Sequence, residues 1–154
     1  MIVDMIVHIL DMLCFGVLHK MKKTEKGTII FNDYVVKYIR FTANTNYDNS
    51  EVSISFKVGS NVKVSDDKTH MNVELQLDIF KDAVENNYPF EMYLAIEGRF
   101  VINTDEEDAI EKYKPNALAI LYPYARAIVS TYTAGANIAP LILPTVNINK
   151  LLKQ

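Results

Sequence analysis

The stretch from Pro115 to Gly135, PNALAILYPYARAIVSTYTAG, constrains this chain more than any other. Its apolar residues recur at helical spacing, yet Pro123 sits in the middle of it. A proline inside a helix removes one backbone hydrogen bond and crowds the preceding turn, at about 3 kcal/mol, so the spacing predicts a long, kinked helix. Wound as a helix, Ala117, Ile120, Leu121, Tyr124, Ile128 and Tyr132 fall on one broad stripe. Leu118, Tyr122, Ala125 and Val129 partly fill the opposite side. A helix apolar on nearly every side needs two partners. One is a sheet of its own subunit; the expected second is another copy of the chain.

The sheet is legible upstream. Ile29–Ala43 is rich in Val, Ile, Tyr and Phe and reads as a first strand, with Val35, Lys37, Ile39 and Phe41 on one face and Val36, Tyr38 and Arg40 on the other. An Asn/Asp-rich turn over 44–50 leads to a second strand, Glu51–Val58, with Val52, Ile54, Phe56 and Val58 inward. Gly59 suggests a bend before Asn61–Val64. Met71–Lys81 alternates most cleanly, and Phe90–Ile102 follows with Phe90, Met92, Leu94 and Ile96 on one face. Four such strands joined by short links predict an antiparallel meander with one buried face. After it, Thr104 and Glu107 make a capping box for a short helix, Gly135 ends the long one, and Pro140 and Pro144 keep 137–146 extended. Asn147 opens a short C-terminal helix. The class is therefore α+β, with an apolar extension at 1–20, a polar linker at 21–28 and one domain over 29–154.

The extension, MIVDMIVHILDMLCFGVLHK, is interrupted by Asp4, His8 and Asp11. Its longest unbroken apolar run, Met12–Leu18, is far short of the about 20 residues that span a bilayer. Asp4 comes first and lysines come last, the reverse of a secretory signal. It reads either as an upstream extension, with translation starting at Met21, or as an amphipathic helix packing on the domain or a partner; a membrane anchor is the third reading.

Composition excludes several functions. The 154 residues are 49% hydrophobic and 23% charged with a formal net charge of -3, so no basic stripe supports nucleic-acid binding. Cys14 is the single cysteine and can form no internal disulfide, which suits a reducing cytoplasm. No phosphate loop, nucleophile elbow or dinucleotide fingerprint is present, so neither enzyme chemistry nor a cofactor or metal is expected. Asp66 and Asp67 beside His70 read as solvated loop charges, and Asp105-Glu106-Glu107-Asp108 as favourable charge in a first helical turn or an acidic docking patch.

The run Ile120-Leu121-Tyr122-Pro123-Tyr124-Ala125-Arg126, followed by Ala139-Pro140-Leu141-Ile142-Leu143-Pro144-Thr145-Val146-Asn147, resembles the C-terminal signature of SecB, the export chaperone. That family carries an Asn-x-Leu-Phe-Pro-Tyr-Ala-Arg helix and a Pro-rich crossover, and the resemblance spans about residues 29–152. It implies a SecB-like fold, an ATP-independent holdase that binds unfolded preprotein chains for export, a dimer of dimers, and cytoplasmic residence with only indirect membrane contact. Carried over, Ile54, Phe56 and Phe90 match groove-lining positions. Met92, Leu141, Leu143 and Val146 are added from the alternation and the crossover. Tyr122, Tyr124, Arg126 and Ile128 are expected at the subunit interface.

The match departs from the family at the outer sheet face, where export-dedicated members carry carboxylates for the translocase motor. Tyr38 and Thr42 stand at such places on the first strand; on the fourth, one apolar contact has become Glu91 and one acid has become Tyr93. That favours a SecB-like chaperone dedicated to an antitoxin as the alternative. From other classes, a small-ligand-binding or enzymatic domain, or an assembly protein without a client, also remain open.

Overall fold

The computed structural model describes residues 28–103 and 108–148. The readings made for 1–20, for the linker, for the capping box at Thr104 and Glu107, and for a helix beyond Asn147 lie outside those residues.

Four strands and one helix make up the domain. Strand β1 is Thr28–Ala43, β2 Phe56–Val64, β3 His70–Ile79 and β4 Phe90–Asn103, followed by helix α1, Ala109–Gly135. All pairings are antiparallel, in the spatial order β1-β4-β3-β2. The fold is thus the α+β sheet-and-helix expected, but the strand order is not a simple meander. The 16-residue β1 pairs along the 14-residue β4, which matches its length, rather than along the 9-residue β2. Residues 44–55 form the long connection that this swap requires.

The period of two holds fully in β3. Met71, Val73, Leu75, Leu77 and Ile79 are each 0% exposed, while Asn72, Glu74, Gln76 and Asp78 between them are half-buried. In β4 the buried face runs Phe90, Met92, Leu94, Ile96, Phe100 and Ile102.

Strand β1 departs from simple alternation. Its register against β4 shifts between Phe31 and Asp33 and again between Val36 and Tyr38. Each bulge inserts one residue and flips everything beyond it to the other face. Ile29, Phe31, Tyr34, Val36, Ile39 and Phe41 therefore face α1, and Val35 goes to the outer face opposite Glu97. The face assignment made for Val35 and Val36 from strict alternation is thus reversed. In β2, Glu51–Ser55 are not strand, and the ladder passes regularly through Gly59, paired with Gln76, with no bend there.

Helix α1 runs unbroken through Pro115 and Pro123 and begins six residues before the expected Pro115. It tolerates Pro123 because the carbonyl left without a partner belongs to Ala119, and both residues are exposed to water. The buried side is Tyr113, Ala117, Leu118, Leu121, Tyr122, Ala125 and Val129, so the face expected to be the lesser one is the core face. The other stripe lies at the flank: the Tyr124 ring packs on Tyr34 and Phe31 of β1, at 4.7 and 5.6 Å between centroids. Tyr132 packs on Phe41 at 5.5 Å. Close approach of helix to sheet depends on Gly98, where an added Cβ would lie 2.6 Å from Leu121 Cδ2 and 2.8 Å from Phe100 Cε2.

The helix ends at Gly135, as expected, but the left-handed residue that follows is not Gly135. Asn137, at φ 59, is the left-handed residue that reverses the chain, as Asn tolerates. Ile138 N–H then donates to the Thr133 carbonyl at 3.1 Å.

Candidate functional site

Past Asn137 the chain lies extended along α1, held by three helix side chains. The Thr133 hydroxyl, wholly buried, donates back to the Val129 carbonyl at 2.9 Å and accepts from Leu141 N–H at 2.9 Å. Arg126 Nε donates to the Leu143 carbonyl at 2.8 Å, and the Tyr122 hydroxyl donates to the Pro144 carbonyl at 2.8 Å. A segment with two prolines cannot join a sheet ladder, so its carbonyls need side-chain partners instead. Burial pushes the Tyr122 hydroxyl above its ordinary pKa, against the lowering influence of Arg126, and it remains a donor. Along the segment Leu143 is 0% exposed and Ile142 67%, so the crossover alternates between core and solvent.

Between the start of this crossover and the 44–55 connection lies a cleft of about 590 Å³. Ile138, Pro140 and Leu141 form one wall; Tyr47, Asn49, Val52 and Ile54 form the other. Phe80 and Phe90 lie at its base, where their rings meet edge-on at 5.2 Å. Phe80 holds a left-handed backbone at φ 52, costly for a bulky residue, and its ring is also packed on Tyr88 at 4.8 Å. The connection is pinned by Asn44, whose amide donates to the Ala83 and Tyr88 carbonyls at 3.2 and 2.9 Å, and whose N–H donates to the Pro89 carbonyl. Asn87 adds bonds to Asp48 Oδ1 at 2.8 Å and Ser50 Oγ at 3.1 Å. No residue lining the cleft is charged.

Of the seven groove residues expected from sequence, the structure brings Ile54, Phe90 and Leu141 to this cleft. Phe56 and Val146 are half-buried against the core. Met92 and Leu143 are each 0% exposed and lie inside the core, so neither offers a contact surface. Alternation places both on the buried side of their segments, and a residue so placed is covered by the helix rather than by a guest. Tyr47, Phe80 and Ile138 were missed. The first lies in what read as a polar turn, the second departs from strand geometry, and the third follows the left-handed Asn137, whose reversal was not anticipated.

The residues expected between subunits are likewise engaged within this one. Tyr122 and Arg126 spend their polar groups on the crossover, and Tyr124 lies on β1. Ile128 is half-buried beside a shallow groove shared with Tyr34, Ala127, Thr131 and Tyr132.

The outer sheet face is a charge lattice. Lys37, the residue extruded by the second bulge, reaches Glu74 and Glu97, both at 3.2 Å. Arg40 pairs with Glu91 at 3.1 Å, and Arg99 holds Asp33 through two bonds of 2.6 and 2.7 Å. Hydrogen bonds to Glu74 and then Glu97 raise the Lys37 pKa; Gln76 and then Lys37 lower that of Glu74. Tyr38 and Tyr93 pack among these pairs, tilted, at 5.9 Å between centroids. The Asp66–His70 turn is closed on itself by Asp67, which accepts from Ser65 and from Thr69 N–H. Among the described residues no three His, Cys, Asp or Glu side chains gather, and no helix is long and apolar enough to cross a membrane.

The model of the family described as preprotein translocase subunit SecB matches residues 36–154 of this chain. The chain belongs to the SecB family. An uncharacterized protein of Methanocaldococcus jannaschii is 31% identical over 136 residues, covering 83% of this chain and 84% of that one. Among solved structures, a SecB-like chaperone of Mycobacterium tuberculosis, in complex with a peptide from an antitoxin, superposes with a TM-score of 0.63 at 14% identity. The overlap covers 77% of this chain and 90% of that chain. Family membership supports a chaperone role for this SecB-family chain.

Proposed function

We propose that this SecB-family chain is an ATP-independent holdase whose cleft receives extended segments of unfolded polypeptide. The observation that carries the reading is the cleft itself: open, lined without a single charge, and based on Phe80 and Phe90. Burying an apolar side chain there is worth about 1.5–3 kcal/mol without directional demands, so many sequences fit. The proposed contacts are Ile54, Leu141, Ile138 and Tyr47 at the walls, backed by the nearly buried Phe90 at the base, in the cytoplasm and without a cofactor. The test is light scattering of an aggregating unfolded protein. Suppression at stoichiometric chaperone without nucleotide, lost in Ile138→Asp, is the expected result; no suppression at several-fold excess refutes the holdase.

An assembly of subunits belongs to the same proposal. The solvent side of α1 presents Asn116, Ala119, Pro123, Ala127 and Thr131, exposed and uncharged; separately, the edge strand β1 leaves Val36 40% exposed on the helix-facing side and Val35 and Tyr38 45 and 51% exposed on the outer face. Light scattering after size exclusion should give a dimer or tetramer mass.

A single dedicated client, such as an antitoxin, is the second reading, and the outer face favours it. Asp33, Glu74, Glu91 and Glu97 are each paired with a cation of the same sheet, which leaves little free acid to dock an export motor. The related chaperone solved with an antitoxin peptide is in line with this. A pull-down that returns one species supports it; dozens of preproteins would sink it.

A further inference from the structure

We infer that residues 5–10 of this chain, Met5-Ile6-Val7-His8-Ile9-Leu10, occupy the uncharged cleft when no client is present, as a built-in competitor; this rests on the holdase reading above. Fourteen of the first twenty residues are hydrophobic, which is the composition the cleft is proposed to take from strangers. No charged group lines the cleft, so a carboxylate inside it would be desolvated without a partner. The extension offers two uncharged runs between its charges, Met5–Leu10 between Asp4 and Asp11, and Met12–Leu18.

Reach decides between them. The cleft lies at the Ala43–Asn44 end of β1, and the extension joins the opposite end, at Thr28. Sixteen strand residues cover about 50 Å at about 3.3 Å each. Met12–Leu18 precedes Thr28 by 10 to 16 residues, an extended span of about 33–55 Å, so most of it falls short. Met5–Leu10 precedes it by 18 to 23 residues, about 60–80 Å, and reaches the cleft with slack. A tethered segment of this length is present at an effective concentration on the order of millimolar. A client must displace it, and its apparent affinity falls by the fraction of clefts left open.

Cys14 is the only cysteine and accepts a nitroxide label in the full chain. The label is expected to broaden the amide signals of Ile54, Ile138 and Leu141, and excess unfolded peptide should restore them. Making the segment polar by Ile6→Ser with Ile9→Ser should remove the broadening and tighten peptide binding about tenfold. Sharp cleft signals in the labelled chain, with peptide affinity unchanged by the double substitution, overturn the inference. If peptide still shifts Ile138 and Leu141 in that case, the holdase reading stands alone. Broadening at the cleft with no peptide binding, even by the doubly substituted chain, would overturn both the holdase reading and the competition.

Discussion

Arg126 on α1 donates its Nε–H to the main-chain carbonyl of Leu143, 17 residues away, at 2.8 Å. One turn earlier on the same helix, Tyr122 holds the next carbonyl, that of Pro144. The two side chains thus read the crossover's backbone much as a neighbouring strand would, and they do it for a segment whose prolines bar it from a ladder.

The two bonds should differ in worth. Leu143 is wholly buried, so its carbonyl loses its partner where water is scarce, whereas Pro144 is exposed and its carbonyl can turn to solvent. Arg126→Ala is expected to cost about 1–3 kcal/mol, and Tyr122→Phe about 1 or less. Urea unfolding of the two variants checks the order; equal losses would mean that burial of the carbonyl does not set the worth of these bonds.

Burial also separates residues that look alike in sequence. Leu143 and Ile138 both lie on the crossover, but Leu143 is in the core and Ile138 lines the cleft. Leu143→Asp places an unpaired carboxylate in the apolar interior and should unfold the domain, an outcome visible by circular dichroism. Ile54→Asp, at a side chain 44% exposed, should leave stability within about 0.5 kcal/mol while weakening client binding. Circular dichroism and peptide titration together distinguish a core position from a cleft wall.

These contrasts mark what the sequence could convey. Strand β3 was legible because every second residue is apolar and one face is buried, leaving a single register. Strand β1 holds its own record of the bulges: apolar residues fall at 29, 31, 34, 36, 39 and 41, and the two steps of three are where a residue is extruded. Strict alternation overlooked them because an aromatic-rich edge strand carries apolar residues on both faces. The pairing of β1 with β4 was invisible for a different reason, since nothing local states which strand a long connection returns to. Ile54 and Phe90, which line the cleft, were named because the family resemblance carries groove positions onto them, and Leu141 because the crossover displays more apolar residues than one small core can take. Tyr47 and Phe80 were not, because their positions come from Asn44 bonding to the Ala83 and Tyr88 carbonyls and from a left-handed backbone at Phe80.

Gly98 is a place where helix and sheet nearly touch. A methyl group there would sit 2.6 Å from Leu121 Cδ2, and Leu121 is itself wholly buried. Gly98→Ala should therefore lose about 1–3 kcal/mol through overpacking. Leu121→Ala alone should lose about 2–5 kcal/mol through a cavity. Combined, the two should lose less than their sum, because the added methyl fills part of the space vacated. Additive losses in thermal or urea unfolding would show that the strain at Gly98 lies in the backbone or against Phe100 instead.

The β2–β3 turn offers a pH test on an exposed group. The Ser65 hydroxyl, and then Thr69 through its backbone N–H, hold the Asp67 carboxyl down from its ordinary 3.8 to about 2. A carboxyl depressed in the folded state stabilises that state above the unfolded value, and the contribution disappears as the pH falls through 3.8 to about 2. Asp67→Asn keeps an acceptor oxygen but cannot titrate. Its stability relative to the parent should be lower by a constant amount at neutral pH, and the gap should close across that acid window. Paired urea midpoints taken from about pH 5 down to about pH 2 measure it. A gap that stays constant through the window would mean that Asp67 gains nothing from Ser65 and Thr69 beyond what it has in the unfolded chain.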